Sequence, residues 1–199
     1  SVCVLFIGIG GAMSQMLKLT DGVLATSGSM MLIICFVLGG LVGELLNIEG
    51  AFERFGAWLR KKTHNESDSG FLSGFIHASL TVCIGAMAIV GSIQDGLLGD
   101  SSLLCAKAAL DAVIILVMTA SMGKGCIFSA IPVALLQGGV TLLSRVLAPI
   151  FTEAAIANLS YTGSVMIFCV GLNLVWGKKI KVANLLPTLV FAVLYALVF

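Results

Sequence analysis

Long apolar stretches constrain this chain more than any other feature of its sequence. A hydrocarbon core about 30 Å thick is crossed by roughly 20 residues of helix. Seven stretches approach or reach that length, at about 2–19, 27–47, 71–93, 101–121, 124–143, 154–177 and 182–199. Backbone groups in lipid have no water to bond, so each stretch should be helical. The sequence therefore predicts an all-α, polytopic transmembrane helical bundle of about seven spans, forming a single domain over residues 1–199.

Composition supports this class and argues against others. The chain is 59% hydrophobic and 11% charged, whereas soluble domains are about 45–50% apolar and about 25% charged. Its 23 glycines and three prolines suit closely packed helices better than a barrel of alternating strands. The net charge of +1 provides no basic stripe for a phosphate backbone. We expect the lipid bilayer as a partner and no nucleic acid.

Basic residues between the predicted spans indicate the orientation. Eight lie on one side: Arg54, Arg60, Lys61, Lys62, Lys124, Lys178, Lys179 and Lys181. Only Lys18 and Arg145 lie on the other side. Because cytoplasmic loops carry the excess of Lys and Arg, we expect the Ser1 side to be cytoplasmic and the C-terminus to be outside.

The segment between the second and third spans has a different character. Its apolar residues follow the spacing i, i+4, i+7, i+11, at Ile48, Phe52, Phe55 and Leu59. Charged residues occupy the other faces, which is typical of an amphipathic helix lying in the membrane interface. We predict such a helix at about 48–62 on the cytoplasmic side, anchored by Trp58, followed by a polar linker at 62–70 without periodicity.

Lys107 and Asp111 are ionisable residues inside the fourth span. A charge at membrane depth is costly, so it points to a function. Four residues place both side chains on one helix face, where they can pair or meet a shared ligand. The alternative is a buried ion pair that neutralises itself and fixes the packing.

Further polar residues lie in or beside the spans. Gln94 and Asp95 follow Gly91-Ser92 at the end of the third span. This composition suits a broken helix that coordinates cations or polar solutes, and it equally suits an ordinary helix end with turn residues. Other candidates for a substrate or ion site are Glu44, Gln137, Asn173 and Asn184.

The sequence offers no pattern for metal, cofactor or catalytic chemistry. Its six cysteines include no C-x2-C pair, and His77 has no second imidazole at i+4. Neither H-E-x-x-H nor G-x-S-x-G occurs. We therefore expect no metal, no cofactor, no catalytic residues and no enzymatic activity.

An internal duplication is suggested by the third and sixth spans. At an offset of 86 residues, 83–91 aligns with 169–177, and three of the nine positions are identical. Spans an odd number apart cross the membrane in opposite directions, as the halves of an inverted repeat do. Chance matches between apolar segments are the alternative.

Three segments resemble the signature segments of the bacterial DUF554 family: GGLVGELLNIEG at 39–50, GAMAIVGSIQDG at 85–96 and KVANLLP at 181–187. The resemblance covers nearly the whole chain. The family is of unknown function, so the resemblance implies a bacterial inner-membrane location, is compatible with transport and names no substrate. It also implies that one further hydrophobic helix precedes Ser1, in an eight-span parent. The eight candidate site residues lie in or near these segments.

The leading hypothesis is a membrane transporter or channel-like permease for an ion or small polar solute, with a polar site between transmembrane helices. One alternative is a membrane scaffold that acts through its interfacial helix at 48–62. An intramembrane enzyme is the third reading, and the sequence offers least for it. The spacing of Gly39 and Gly43 allows self-association of helices as well as internal packing, so a homo-oligomer is consistent with the sequence.

Overall fold

A computed structural model describes residues 2–20, 23–63, 70–84 and 86–198. Its helices and strands are α1 (Val2–Met16), β1 (Leu17–Thr20), β2 (Val23–Thr26), α2 (Ser29–Leu46), α3 (Ile48–Lys62), α4 (Phe71–Cys83), α5 (Ala86–Leu98), α6 (Ser102–Met122), α7 (Ala130–Leu142), α8 (Ser144–Leu147), α9 (Glu153–Trp176) and α10 (Pro187–Val198). Two 3-10 segments, Lys124–Ser129 and Val182–Leu185, lead into α7 and α10. The helical bundle predicted from the sequence is confirmed.

Fewer helices are long enough to cross a membrane than the sequence predicts. Within the described residues, four helical segments are long and apolar enough to cross a membrane: Ser29–Leu46, Ser102–Met122, Lys124–Leu142 and Glu153–Trp176. The third predicted span is divided into α4 and α5, which meet at 59° and make a fifth if counted together. The first and last predicted spans are shorter apolar helices. Seven spans therefore stays a prediction.

The end of the first predicted span differs from the expected helix. The helix stops at Met16, and β1 and β2 pair in an antiparallel hairpin with Leu17 opposite Thr26 and Thr20 opposite Val23. The strand sequences contain Val and Thr, which favour strands. The dipeptide Asp-Gly between them is a strong hairpin signal in sequence. Residues 17–20 and 23–26 therefore pair as strands, although 17–19 continue the apolar stretch that predicts a span.

The amphipathic segment is a helix with the predicted bounds, because α3 runs from Ile48 to Lys62. Of the predicted linker at 62–70, residues 64–69 lie outside the described residues. Farther along, Asp100 accepts a hydrogen bond from the Ser102 backbone N–H at 3.0 Å, at the start of α6. Hydrogen bonding from Ser102 lowers the pKa of the Asp100 carboxyl.

The contacts of the chain divide it into two compact units that alternate along the sequence. Unit 1 comprises Ser1–Ile48, Ile84–Ala86 and Pro149–Phe199, and unit 2 comprises Glu49–Cys83 and Met87–Ala148. In unit 1, α1 packs along α9 and α2 packs against α10. Close approach depends on glycine: a Cβ on Gly43 would lie 1.7 Å from the Asn184 carbonyl oxygen. The predicted G-x-x-x-G thus serves packing within the chain.

Unit 2 is built around α4, whose Phe71, Phe75 and Ala78 are completely buried. The 3-10 segment Lys124–Ser129 packs against α4, again through glycine, because a Cβ on Gly125 would lie 1.9 Å from the Phe71 carbonyl oxygen. Helices α6 and α7 also contact α4. The buried core of this unit is therefore the half of the third predicted span that precedes the break.

The two units share a local arrangement. In each, a 3-10 segment adjoins a lysine, leads into a helix that contains a proline, and packs against a helix through glycine. The pairs are Lys124–Ser129 with α7 and Val182–Leu185 with α10. The alignment of 83–91 with 169–177 fits less well, since the first spans the division between α4 and α5 and the second lies in α9 up to its end.

The close packing of α2 predicts that alanine substitutions at two nearby glycines differ sharply in their effect on stability. In Gly43→Ala the new methyl group would clash with the Asn184 carbonyl, and overpacking of this kind costs about 1–3 kcal/mol. Gly40→Ala is the matched control, because its nearest neighbour would be Leu185 Cδ2 at 3.7 Å. Thermal unfolding in detergent should show a lowered Tm for the first variant only. Equal Tm values would contradict the described α2 packing.

Candidate functional site

The pair predicted in the fourth span is present. The Lys107 ammonium donates a hydrogen bond to Oδ2 of Asp111 and forms a salt bridge with it. It also donates to the Val82 carbonyl oxygen at 2.9 Å. The Lys107 side chain is 8% exposed and that of Asp111 is 21% exposed. Lys107 is thus enclosed by protein, while the carboxylate retains some access.

The contact with Val82 depends on the break in the third predicted span. The last carbonyls of a helix have no partner within it, and α4 ends at Cys83, one residue after Val82. A carbonyl without a partner in an apolar setting is costly. The Lys107 ammonium supplies the missing donor from α6. Lys107 therefore joins two helices of unit 2 as well as neutralising Asp111.

Asp111 lines a cavity of about 260 Å³ in unit 2. The cavity wall consists of Val82, Ala108, Asp111, Ala112, Ile115, Ile127, Ser129, Ala130, Val133 and Gln137. Most of this wall is apolar, and its polar side chains are a carboxylate, a hydroxyl and an amide. Two predicted site residues, Asp111 and Gln137, are thereby brought to one place. Within the described residues, no group of three His, Cys, Asp or Glu side chains could hold a metal ion.

Gln94 and Asp95 are half-buried on α5 and are absent from the cavity wall. Near them, Gly96 lies against Thr141 and Ser144, at the end of α7. The cavity borders the opposite part of α7, from its first residue to Gln137. The two predicted residues therefore lie toward another end of unit 2, and their role in a site stays a prediction.

Glu44 belongs to a second polar cluster, in unit 1. Its Oε1 accepts a hydrogen bond from the Lys181 ammonium at 2.6 Å, and its Oε2 accepts one from the Asn184 side-chain amide at 2.5 Å. Asn184 is buried, whereas the Glu44 and Lys181 side chains are 59% and 57% exposed. The cluster connects the end of α2 to the start of the last helical segment. Two of the segments that resemble the DUF554 family are thus in direct contact.

Asn173 has a structural role. Its side-chain oxygen accepts hydrogen bonds from the backbone N–H groups of Lys179 and Ile180, each at 3.0 Å. Its amide nitrogen donates to the Ile180 carbonyl oxygen at 2.7 Å. These three bonds hold the loop after α9, because the Asn173 side chain satisfies backbone N–H and carbonyl groups of that loop. Asn173 and Asn184 both lie in unit 1 and do not join the cavity in unit 2.

Sequence reasoning missed three groups that the structure adds. Ser129 lines the cavity, the Val82 carbonyl binds Lys107, and Lys181 pairs with Glu44. A single serine in an apolar stretch carries little signal, and a backbone carbonyl carries none. The sequence predicts Lys181 as a loop charge and as part of the segment KVANLLP, and its position three residues before Asn184 is the available clue to the cluster.

The long apolar helices define a polytopic helical membrane protein. Comparison with known families gives the family directly. The chain belongs to the DUF554 family, because the family model described as "Protein of unknown function (DUF554)" matches residues 1–197. The resemblance seen in the sequence is confirmed.

Two curated relatives have related sequences. The chain is 29% identical over 160 residues to "Uncharacterized membrane protein YdfK" of Bacillus subtilis, which covers 80% of this chain and 67% of the relative. It is 26% identical over 168 residues to "Uncharacterized protein YqgA" of Escherichia coli, covering 81% of this chain and 70% of the relative. No solved structure matches the chain significantly.

The enclosed pair predicts strong coupling between Lys107 and Asp111. Lys107→Gln and Asp111→Asn should each destabilise the protein by leaving a partner unpaired, and the double variant should lose less than the sum. We expect a coupling free energy of about 0.5–3 kcal/mol. It is measured from unfolding by sodium dodecyl sulfate in mixed micelles.

The exposed pair of Glu44 and Lys181 is the matched control for this cycle. Glu44→Gln and Lys181→Gln should show a coupling of less than about 1 kcal/mol, because water screens exposed pairs. Additive effects at Lys107 and Asp111 would contradict the described contact.

Proposed function

We propose that the chain is a membrane transporter or channel-like permease for an ion or small polar solute, and that the cavity beside Asp111 is its binding site. The supporting observation is the convergence of Asp111, Ser129 and Gln137 on one cavity from three successive helical segments. A water molecule occupies about 30 Å³ of liquid, so about 260 Å³ accommodates several waters or one small solute.

The chemistry of the wall favours a cation or a hydrogen-bonding neutral solute. A carboxylate, a hydroxyl and an amide oxygen all accept hydrogen bonds or coordinate cations. Lys107 neutralises Asp111 while the site is empty, so no unpaired charge is left at membrane depth. An arriving cation competes with Lys107 for the carboxylate. The Asp111 charge is then balanced by Lys107 in the empty site and by the bound cation in the occupied site.

Irregular backbone next to the cavity provides a route for conformational change. Val82 lies at the end of α4, and Ile127 and Ser129 belong to a 3-10 segment. Transporters commonly build their sites from interrupted helices of this kind, related by an internal repeat. The arrangement shared by the two units supports a duplication, and its inverted orientation is part of this proposal.

The remaining features of the proposal follow from the sequence. We place the chain in the bacterial inner membrane with the Ser1 side cytoplasmic and seven spans, and we assign it no enzymatic activity. Homo-oligomers are compatible with this function, and nucleic acid is not a partner. The scaffold reading, in which α3 recruits partner proteins, is the competing proposal.

The cavity predicts which side chains solute binding requires. Asp111→Asn and Gln137→Ala should weaken binding at least tenfold, because each removes a hydrogen-bonding or charged group from the wall. Gln94→Ala removes the same amide from a residue outside the wall and should bind normally. Binding is measured as the rise in Tm with a panel of monovalent cations, divalent cations, amines and amino acids, and as uptake into proteoliposomes.

If Gln137→Ala and Gln94→Ala bound solute with equal affinity, the cavity would not be the binding site. A purified protein that responds to no solute, with the Asp111→Asn variant only destabilised, would favour the scaffold. The Tm without solute shows whether each variant is folded.

The proposed orientation predicts the outcome of reporter fusions. Alkaline phosphatase fused after Phe199 should be active, because it folds only outside the cytoplasm, and green fluorescent protein at the same point should be dark. The same reporters placed after Lys62 should give the reverse pattern. Active phosphatase after Lys62 would contradict the orientation.

A further inference from the structure

Helix α3 uses one face for internal packing. Leu59 is 5% exposed, and Phe52 lies 6.5 Å from Phe75 of α4 between ring centres. Gly56 allows close approach, since a Cβ there would lie 2.6 Å from Leu72 Cδ1. The apolar face recognised from the sequence is therefore largely covered by α4. External contacts of α3 therefore fall to the exposed residues that border this face.

Beside this packed face, α3 presents aromatic rings and cations together, and Phe55 at the border also packs against Phe75, with ring centres 5.8 Å apart. We call this surface the α3 stripe, and its members lie within about 120° of the helix circumference: Arg54, Phe55, Trp58, Lys61 and Lys62. All five are exposed. The rings of Phe55 and Trp58 are stacked with centres 5.8 Å apart and planes 22° apart. Lys62 Nζ lies 4.9 Å from the centre of the Trp58 ring.

The cations of the α3 stripe are available to an external anion. In the described part of the chain, neither Arg54 nor Lys61 nor Lys62 forms a salt bridge with an acidic side chain. An amphipathic ring such as Trp58 is favoured at the level of lipid headgroups, and adjacent lysines and arginines attract anionic lipids. We propose that the α3 stripe binds the headgroups of anionic phospholipids.

The position of α3 in the chain supports a lipid as the occupant. Only Asn47 separates it from α2, a candidate span, and α4 begins nine residues after Lys62. Asn47 adopts a left-handed conformation with φ 48°, which ends α2. A helix tethered at both ends to apolar helices stays near a membrane surface. Anionic headgroups are abundant there and complement its unpaired cations.

The test uses the tryptophans of the full chain, which has two, Trp58 and Trp176. A Trp176→Phe variant leaves Trp58 as the only indole fluorophore in lipid nanodiscs. Equal mole fractions of brominated phosphatidylglycerol or brominated phosphatidylcholine are added to a phosphatidylcholine background. We expect the anionic quencher to reduce Trp58 fluorescence at least twofold more than the zwitterionic one. Raising the salt to 0.5 M should reduce that difference, because the attraction is screened.

Lys61→Gln with Lys62→Gln should strongly reduce the preference and leave only the part due to Arg54, since each cation near the surface contributes about fivefold in lipid affinity. Lys178→Gln with Lys179→Gln is the matched control: it removes two exposed cations elsewhere and should leave the preference intact. Equal quenching by both lipids at low salt, in the chain with α3 unaltered, would overturn the proposal. So would a Trp58 that neither lipid quenches, because the stripe would then lie away from the bilayer.

Discussion

The structure depends on one constraint: in an apolar environment, polar groups must find their partners within the protein. Lys107 satisfies two such groups: it pairs with the Asp111 carboxylate, and it donates a hydrogen bond to the Val82 carbonyl at the end of α4. Asn173 does the same for the loop after α9 through three hydrogen bonds to backbone groups. The Asn184 side-chain amide and the Glu44 carboxylate satisfy each other through a hydrogen bond. Polar residues scattered along the sequence are thus assembled into local pairs and clusters.

Glycine provides the second requirement, which is close approach between backbones. Without water to drive apolar surfaces together, helices in lipid gain most from tight contact. Gly43 and Gly125 each bring a helix within reach of a 3-10 segment, one in each unit. The two 3-10 segments that pack closely through these glycines contain the polar residues Asn184 and Ser129. Packing and site formation are therefore linked at the same positions.

The sequence was most informative where the physical signal is local. Hydropathy predicted the helical class, the heptad-like pattern predicted α3 with its bounds, and the spacing of Lys107 and Asp111 predicted their pairing. It was least informative where the partner lies far along the chain. Glu44 and Lys181 are 137 residues apart, and no periodicity relates them. The hairpin after Met16 and the division between α4 and α5 interrupt apolar stretches that hydropathy treats as continuous.

The alternation of the two units along the chain carries a consequence for biosynthesis. Residues 49–83 and 87–148 of unit 2 are complete before α9 leaves the ribosome, whereas α1 and α2 pack against helices made more than 130 residues later. Contacts of such long range close slowly. Unit 2 can therefore reach its native packing before α1 and α2 contact α9 and α10.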